Sequence, residues 1–280
     1  MKFLENIENG TINIKKMGII KALFVMFLSI LLEGFGQVPV EITNLFSGRF
    51  EKILPYVIFI FGVLVKYYVI IVLVKLLSNR SNEKNHKPYL NGMKFFYVAL
   101  MIVAFRLIFD NSLIFWVSGI SMPSFINEAF DEITVSPIIL IISVIIIAPI
   151  YEEIIFRGIL LKGMSKKINP AIAIVISALL FGIVHMNIPQ GVNAFLLGLV
   201  LGFIYLSSKS IYLSIFAHFI NNILALSFSS FFSLIDGRYA IGIHAMFLFI
   251  GIILLIIACD GYKQNKTKNK PEIYKQFIEV

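Results

Sequence analysis

The sequence predicts an all-α polytopic membrane protein with about eight transmembrane helices. Hydrophobic residues make up 59% of the 280 residues, charged residues make up only 14%, and the mean hydropathy is +0.90. A soluble domain of this length needs far fewer apolar residues to fill one core. Apolar runs of about 20 residues, long enough to cross the hydrocarbon layer of a bilayer, recur along the chain.

Eight apolar runs are the predicted membrane spans, and short connections join most of them. They cover residues 17–40, 53–77, 95–117, 137–161, 170–185, 192–206, 211–232 and 241–258. Nearly the whole chain is therefore predicted to form one helical membrane region.

Lysine and arginine are in excess over acidic residues in alternate connections, which predicts the orientation of the chain. Cytoplasmic loops retain these cations, so both termini are expected in the cytoplasm. The cations that give this excess are Lys2, Lys15, Lys16, Lys21, Arg80, Lys84, Lys87, Lys162, Lys166, Lys167, Lys209, Lys263, Lys266, Lys268, Lys270 and Lys275, whereas Glu128, Asp131 and Glu132 lie in a connection on the other side. The net charge of +8 is thus explained by contact with membrane lipid, and no nucleic-acid partner is expected.

Ionisable residues within spans are costly, so each is a candidate for function. The fourth span contains Glu152, Glu153 and Arg157. Glu153 and Arg157 are four residues apart and can pair on one helix face. Glu152 is rotated by about 100° from Glu153, which leaves it to face a neighbouring helix or a water pocket.

Two further polar clusters follow on separate spans. In FGIVH, Phe181 and His185 share a helix face, so the ring could wall one side of a site that the imidazole enters. In HFINN, His218 and Asn222 project the same way. A carboxylate, two imidazoles and a carboxamide could therefore converge where three helices meet. A carboxylate in apolar surroundings suits a general base acting on water, and the remaining donors suit a tetrahedral oxyanion.

The three motifs resemble those of a known family. EEIIFR, FGIVH and HFINN match EExxxR, FxxxH and HxxxN of the CPBP family of intramembrane endopeptidases, which includes CAAX prenyl proteases and the bacteriocin-processing, Abi-like proteins. The resemblance covers roughly residues 137–230 and divides the chain into 1–136, with helices one to three, 137–230, a catalytic core of helices four to seven, and 231–280, with the last helix and a basic cytoplasmic tail.

The resemblance implies a glutamate-type intramembrane protease without a cofactor. Glu152 with His185 would activate water, and His218 with Asn222 would form the oxyanion hole. Glu153, Arg157 and Phe181 would support the site. The expected partners are membrane lipid and a peptide or membrane-anchored protein substrate, and the expected location is a bacterial plasma membrane.

Other interpretations of the same residues remain open at this point. Glu152, His185 and His218 could be the ligands of a zinc site, since two histidines, a glutamate and water are a known catalytic set. The clusters could also be structural ion pairs and interhelical hydrogen bonds. A transporter, or a bacteriocin-immunity or regulatory protein, could use the same buried residues for binding.

Several polar or small residues outside the motifs have structural interpretations. Lys66 is expected to extend its ammonium to the membrane surface rather than to line the cavity. Arg106 and Asp110 are expected to form a structural pair, and Gly198 with Gly202 to allow close helix packing. Glu152 and His185 differ in predicted depth by roughly 7 Å at 1.5 Å per residue, which helix tilt or an uneven turn must absorb.

Overall fold

A computed structural model describes residues 2–37, 53–80, 90–113, 136–232, 234–235 and 239–268 of the chain. In chain order, the described part forms α1 (Lys2–Glu8), β1 (Ile12–Ile14), α2 (Ile19–Gly34), α3 (Leu54–Leu77), β2 (Ser78–Arg80), α4 (Gly92–Asp110), α5 (Pro137–Met164), α6 (Pro170–Ile183), α7 (Ile188–Ser208), α8 (Ile211–Phe232) and α9 (Ala240–Lys268). The all-α class is confirmed, and the two three-residue strands are the only departure from it in the described ranges.

Each of the eight predicted spans coincides with one of the helices α2 to α9. Within the described residues, six of them are long and apolar enough to cross a membrane, namely α3, α4, α5, α7, α8 and α9. Helix α6 has 14 residues, or about 21 Å, which is shorter than a hydrocarbon layer of about 30 Å. The chain is therefore an integral membrane protein with six candidate spans in its described part, and the count of eight stays a prediction.

Helix α5 is not a regular α-helix. Its first turns are α-helical, Ser143–Ile147 and Ile154–Leu161 are π-helical, and Ala148–Glu153 between them is α-helical with Pro149 in its first turn. A proline has no amide proton for the helical ladder, and π-helical turns are rare and frequent at functional sites. Glu152 and Glu153 end the α-helical segment between the two π-helical segments, and Arg157 lies in the second π-helical segment.

The chain separates into two compact units. The first comprises Met1–Pro88 with Val117–Phe219, and the second comprises Tyr89–Trp116 with Ile220–Val280. The boundary lies inside α8, one residue after His218. The three-part division by sequence, at residues 136 and 230, stays a prediction.

In the first unit, α6 packs along α7, and α5 contacts both. A Cβ atom added to Gly198 of α7 would lie 2.9 Å from the Cβ atom of Ala178 of α6, so glycine is needed for this approach. The close packing predicted for Gly198 is confirmed. In the same unit, β1 pairs antiparallel with β2, with Asn13 opposite Asn79.

In the second unit, α4 packs along α9. The guanidinium of Arg106 donates to the carboxylate of Asp110, and both side chains are buried. The predicted structural pair is confirmed. Asn91, which caps α4, also donates through its side-chain amide to Asn265 of α9 at 3.2 Å.

The orientation of the spans is a prediction that reporter fusions can test. We expect fusions after Lys87, Lys166 and Lys268 to report the cytoplasm and fusions near Glu132 and Gln190 to report the opposite side, because the cations set the orientation. Lys84, Lys87, Glu128, Asp131 and Glu132 lie outside the described residues. Fusions at Lys87 and Glu132 that report the same side would contradict the eight-span topology.

Candidate active site

Glu153 and Arg157 form a fully buried ion pair on α5. The Arg157 Nη1 atom donates to Glu153 Oε1 at 2.6 Å, and both side chains are 0% exposed. Arg157 also donates through Nη2 to the carbonyl oxygen of Gly198 at 3.2 Å, and its guanidinium lies over the ring of Phe181. The predicted pairing is confirmed, and it ties α5 to α6 and α7.

The Glu153 carboxylate also accepts two hydrogen bonds from α8. Ser214 donates through Oγ to Glu153 Oε2 at 2.5 Å, and His218 Nδ1 lies 2.9 Å from Oε1. A carboxylate can only accept, so the contact places a proton on His218 Nδ1. Sequence reasoning missed Ser214, although its spacing of four residues before His218 places both on one helix face.

His218 presents its other ring nitrogen to Glu152. Its Nε2 atom lies 3.7 Å from Glu152 Oε2. This separation is longer than a direct hydrogen bond, so a hydrogen-bonded link between the two atoms would need a bridging water. Glu153 thus fixes the imidazole from one side while Glu152 faces it from the other.

Phe181 separates the two histidines. Its ring is 1% exposed and meets His185 and His218 edge to face, with ring centroids 5.0 Å and 5.7 Å away. His185 Nδ1 lies 2.8 Å from the Phe181 carbonyl oxygen. Because a carbonyl only accepts, that nitrogen carries the proton and Nε2 is the ring nitrogen left for other partners.

Glu152 and His185 line the same cavity, whose volume is about 290 Å³. Helix α6 ends at Ile183, so His185 lies in the following turn, where Met186 has a φ of 53°. The Glu152 carboxylate and the His185 imidazole reach one cavity although their depths in the membrane, counted from the sequence, differ by roughly 7 Å. An uneven turn after α6 is therefore part of how the chain brings them together.

Residues of the N-terminal helices complete the cavity wall. Lys66 forms an ion pair with Glu33 Oε2 at 3.0 Å, and Tyr151 donates to Glu33 Oε1 at 2.5 Å. The Lys66 ammonium also lies 4.5 Å from the centroid of the Tyr151 ring. The expectation that Lys66 extends to the membrane surface is wrong, because the partly exposed carboxylate of Glu33 in the cavity wall offers its ammonium a closer partner. Glu33 and Tyr151 were missed by sequence reasoning.

Asn222 lies one helical turn after His218 on α8. It belongs to the second unit, whereas Glu152, His185 and His218 belong to the first. Its side-chain oxygen accepts a hydrogen bond from Asn221 Nδ2 at 3.0 Å. The participation of Asn222 in one site with the other three residues stays a prediction.

The geometry also bears on metal ligands. Among the residues that the structure describes, no group of three or more histidine, cysteine, aspartate or glutamate side chains is arranged to hold a metal ion.

Comparison with known proteins relates the region around this site to a protease family. Residues 134–224 match the family model described as type II CAAX prenyl endopeptidase Rce1-like. The chain is also 37% identical over 112 residues to a Bacillus subtilis (strain 168) protein named "Putative membrane peptidase YdiL". That match covers 40% of this chain and 46% of the relative, so the chain spans less than half of the relative's length. No solved structure matches the chain.

The family-model match includes all three motifs. The family-model match, residues 134–224, contains Glu152, Glu153, Arg157, Phe181, His185, His218 and Asn222. The resemblance predicted from the sequence is thereby confirmed: in this region the chain is similar to the CAAX prenyl endopeptidases and to a membrane peptidase homologue.

Proposed function

We propose that this protein is an intramembrane endopeptidase that hydrolyses a peptide bond of a membrane-associated peptide or protein with a water activated by Glu152. The observation that carries the proposal is that Glu152 and His185 line one cavity in an integral membrane protein, while Glu152 also faces His218 Nε2 at 3.7 Å. The similarity to a family of endopeptidases supports a peptide bond as the target.

Glu152 is the carboxylate best placed to act as the base. Its side chain is 25% exposed, whereas Glu153 is 0% exposed and accepts bonds from Arg157, Ser214 and His218. Glu152 would take a proton from water as the water oxygen attacks the peptide carbonyl carbon. The same proton would then pass to the leaving amine, so that the carboxylate is regenerated. His185 would position the water through Nε2.

The remaining donors would stabilise the oxyanion. Donation from His218 Nε2 requires a proton there as well as on Nδ1, and His218 with Arg157 would then balance the two charges of Glu152 and Glu153. Asn222 would add a neutral amide donor from the same helix. Fixed donors of this kind act where negative charge develops in the transition state.

We expect the protein to reside in a bacterial plasma membrane with both termini in the cytoplasm, and its site to act on substrates in that membrane. Membrane lipid surrounds the helices, and the substrate reaches the cavity from lipid or from the membrane surface. The cation distribution supports this orientation.

The test is cleavage of membrane-associated peptides by the full chain purified in detergent, with mass spectrometry of the products and elemental analysis of the enzyme. We expect cleavage that survives exhaustive chelation. Activity that a chelator abolishes and stoichiometric zinc restores would instead assign Glu152, His185 and His218 as zinc ligands. Peptide binding without any cleavage would favour an immunity or regulatory protein, and export of a solute without peptide binding would favour a transporter.

Loss of an oxyanion donor gives a more specific prediction. We expect Asn222→Ala and His218→Ala to lower kcat by about 10²-fold to 10³-fold with little change in KM, because such donors act mainly in the transition state. Steady-state kinetics with one peptide checks this. His244→Ala is the matched control, since His244 bonds to Asn111 and is outside the proposed machinery. A rise in KM at constant kcat would refute the oxyanion role.

A further inference from the structure

A second recess of about 420 Å³ lies in the first unit, where α5 and α7 end and α8 begins. Its lining includes Glu8, Asn13, Lys162, Lys166, Tyr205 and Lys209. Three lysines and one glutamate give this recess an excess of positive charge. The motifs and the family match assign it no role.

The hydrogen bonds of Lys162 and Lys166 go to uncharged groups. Glu8, which interacts electrostatically with Lys162, is the one acidic residue that lines the recess, against three lysines. Lys162 donates to the carbonyl oxygen of Ile7 at 3.2 Å, and Lys166 donates to Asn13 Oδ1 and to the carbonyl oxygen of Ile14, each at 2.5 Å. All of these acceptors are uncharged. An ammonium has three donors, so each of these lysines keeps at least one for another partner.

Glu8 is already used by the protein. Its Oε2 atom accepts a hydrogen bond from the amide of Ile211 at 2.6 Å, at the first residue of α8. A carboxylate there stabilises the helix by satisfying a free amide and opposing the helix dipole. Burial raises the pKa of the Glu8 carboxyl, against the lowering effect of hydrogen bonds from Ser210 and Ile211 and of the charge of Lys162, so Glu8 offsets at most one of the lysines. Glu8 therefore does not balance three cations.

Lys209 occupies a position that its backbone conformation does not favour. It ends α7 with a φ of 59° and a ψ of 22°, the left-handed region that glycine and asparagine adopt more easily. Its side chain is exposed and borders the recess. A bound anion that contacts the ammonium would account for a lysine at this position.

We infer that this recess binds a phosphate-bearing anion, supplied either by an anionic lipid headgroup or by free phosphate. The recess is lined by the last turn of α5 and the end of α7, both candidate membrane spans, and the ends of spanning helices are expected at the depth of headgroups. Basic recesses between membrane helices on the cytoplasmic side are suited to such groups. The inference is independent of the proposed peptidase activity.

The test uses the full chain, delipidated in detergent, with two probes. Native mass spectrometry measures binding of dioleoyl phosphatidylglycerol against zwitterionic dioleoyl phosphatidylcholine, and calorimetry measures binding of inorganic phosphate. We expect one saturable anionic site whose affinity falls about tenfold or more in Lys209→Asn. Asparagine suits the left-handed conformation, so this variant is expected to fold, and its melting temperature verifies that. Lys75→Gln removes an exposed lysine at the end of α3 and is the matched control.

The two arms distinguish the sources. Saturable binding of phosphatidylglycerol that depends on Lys209, with no binding of inorganic phosphate, assigns a lipid headgroup. Binding of inorganic phosphate with the same dependence assigns free phosphate. Two outcomes overturn the inference: neither probe shows saturable binding, or Lys75→Gln weakens binding as much as Lys209→Asn does.

Discussion

Replacing Glu152 with glutamine is expected to lower peptide hydrolysis by about 10²-fold to 10⁴-fold, the usual contribution of a general base. Glutamine keeps the shape of the side chain but cannot accept a proton from water. The structural cost is expected to be small, because the Glu152 carboxylate approaches His218 Nε2 only at 3.7 Å. Folded yield and melting temperature should therefore stay close to those of the parent protein while kcat falls.

The cavity also contains the carboxylate of Glu33, which provides a control for the replacement of Glu152. Glu33 is bonded by Lys66 and by the hydroxyl of Tyr151, so both of its oxygens are engaged. Glu33→Gln is the matched control, since it makes the same chemical change in the same cavity. We expect it to alter KM more than kcat. If Glu33→Gln abolishes turnover and Glu152→Gln does not, Glu33 is the base and the assignment of Glu152 is wrong.

Contacts within one helix could be predicted from the sequence. The pairs Glu153 with Arg157 and Arg106 with Asp110 follow from a spacing of four residues, and both are present. Ser214 could have been found in the same way, because it lies four residues before His218. Helix periodicity fixes which side chains share a face, and a charged residue in an apolar helix then has few possible partners.

Contacts between helices could not be predicted in this way. Glu33 is separated from Lys66 by 33 residues and from Tyr151 by 118, and no periodic pattern relates positions on different helices. The strands β1 and β2 have three residues each, too few for an alternating pattern. The π-helical turns of α5 are also invisible to periodicity, because they replace only a few hydrogen bonds in an otherwise apolar helix.

Replacing Arg157 is expected to have the largest effect on stability. Arg157→Met keeps an apolar side chain against Phe181 but takes the arginine from the Glu153 carboxylate, which has 0% exposure and is then left with Ser214 and His218 as partners. Removing one partner of a buried pair costs about 3–5 kcal/mol. We expect a low yield of folded protein and a lower melting temperature in detergent, measured by size-exclusion chromatography and thermal unfolding.

The double variant Glu153→Gln with Arg157→Met separates the charge from the packing. It removes the stranded carboxylate, so it should recover much of the folded protein that Arg157→Met loses. It should not recover hydrolysis, because the carboxylate that accepts from His218 Nδ1 and Ser214 is replaced by an amide, which holds the imidazole less firmly. Recovery of both folding and turnover would show that Glu153 only neutralises Arg157. Normal folding and turnover in Arg157→Met alone would show that the site does not need the ion pair of Glu153 with Arg157.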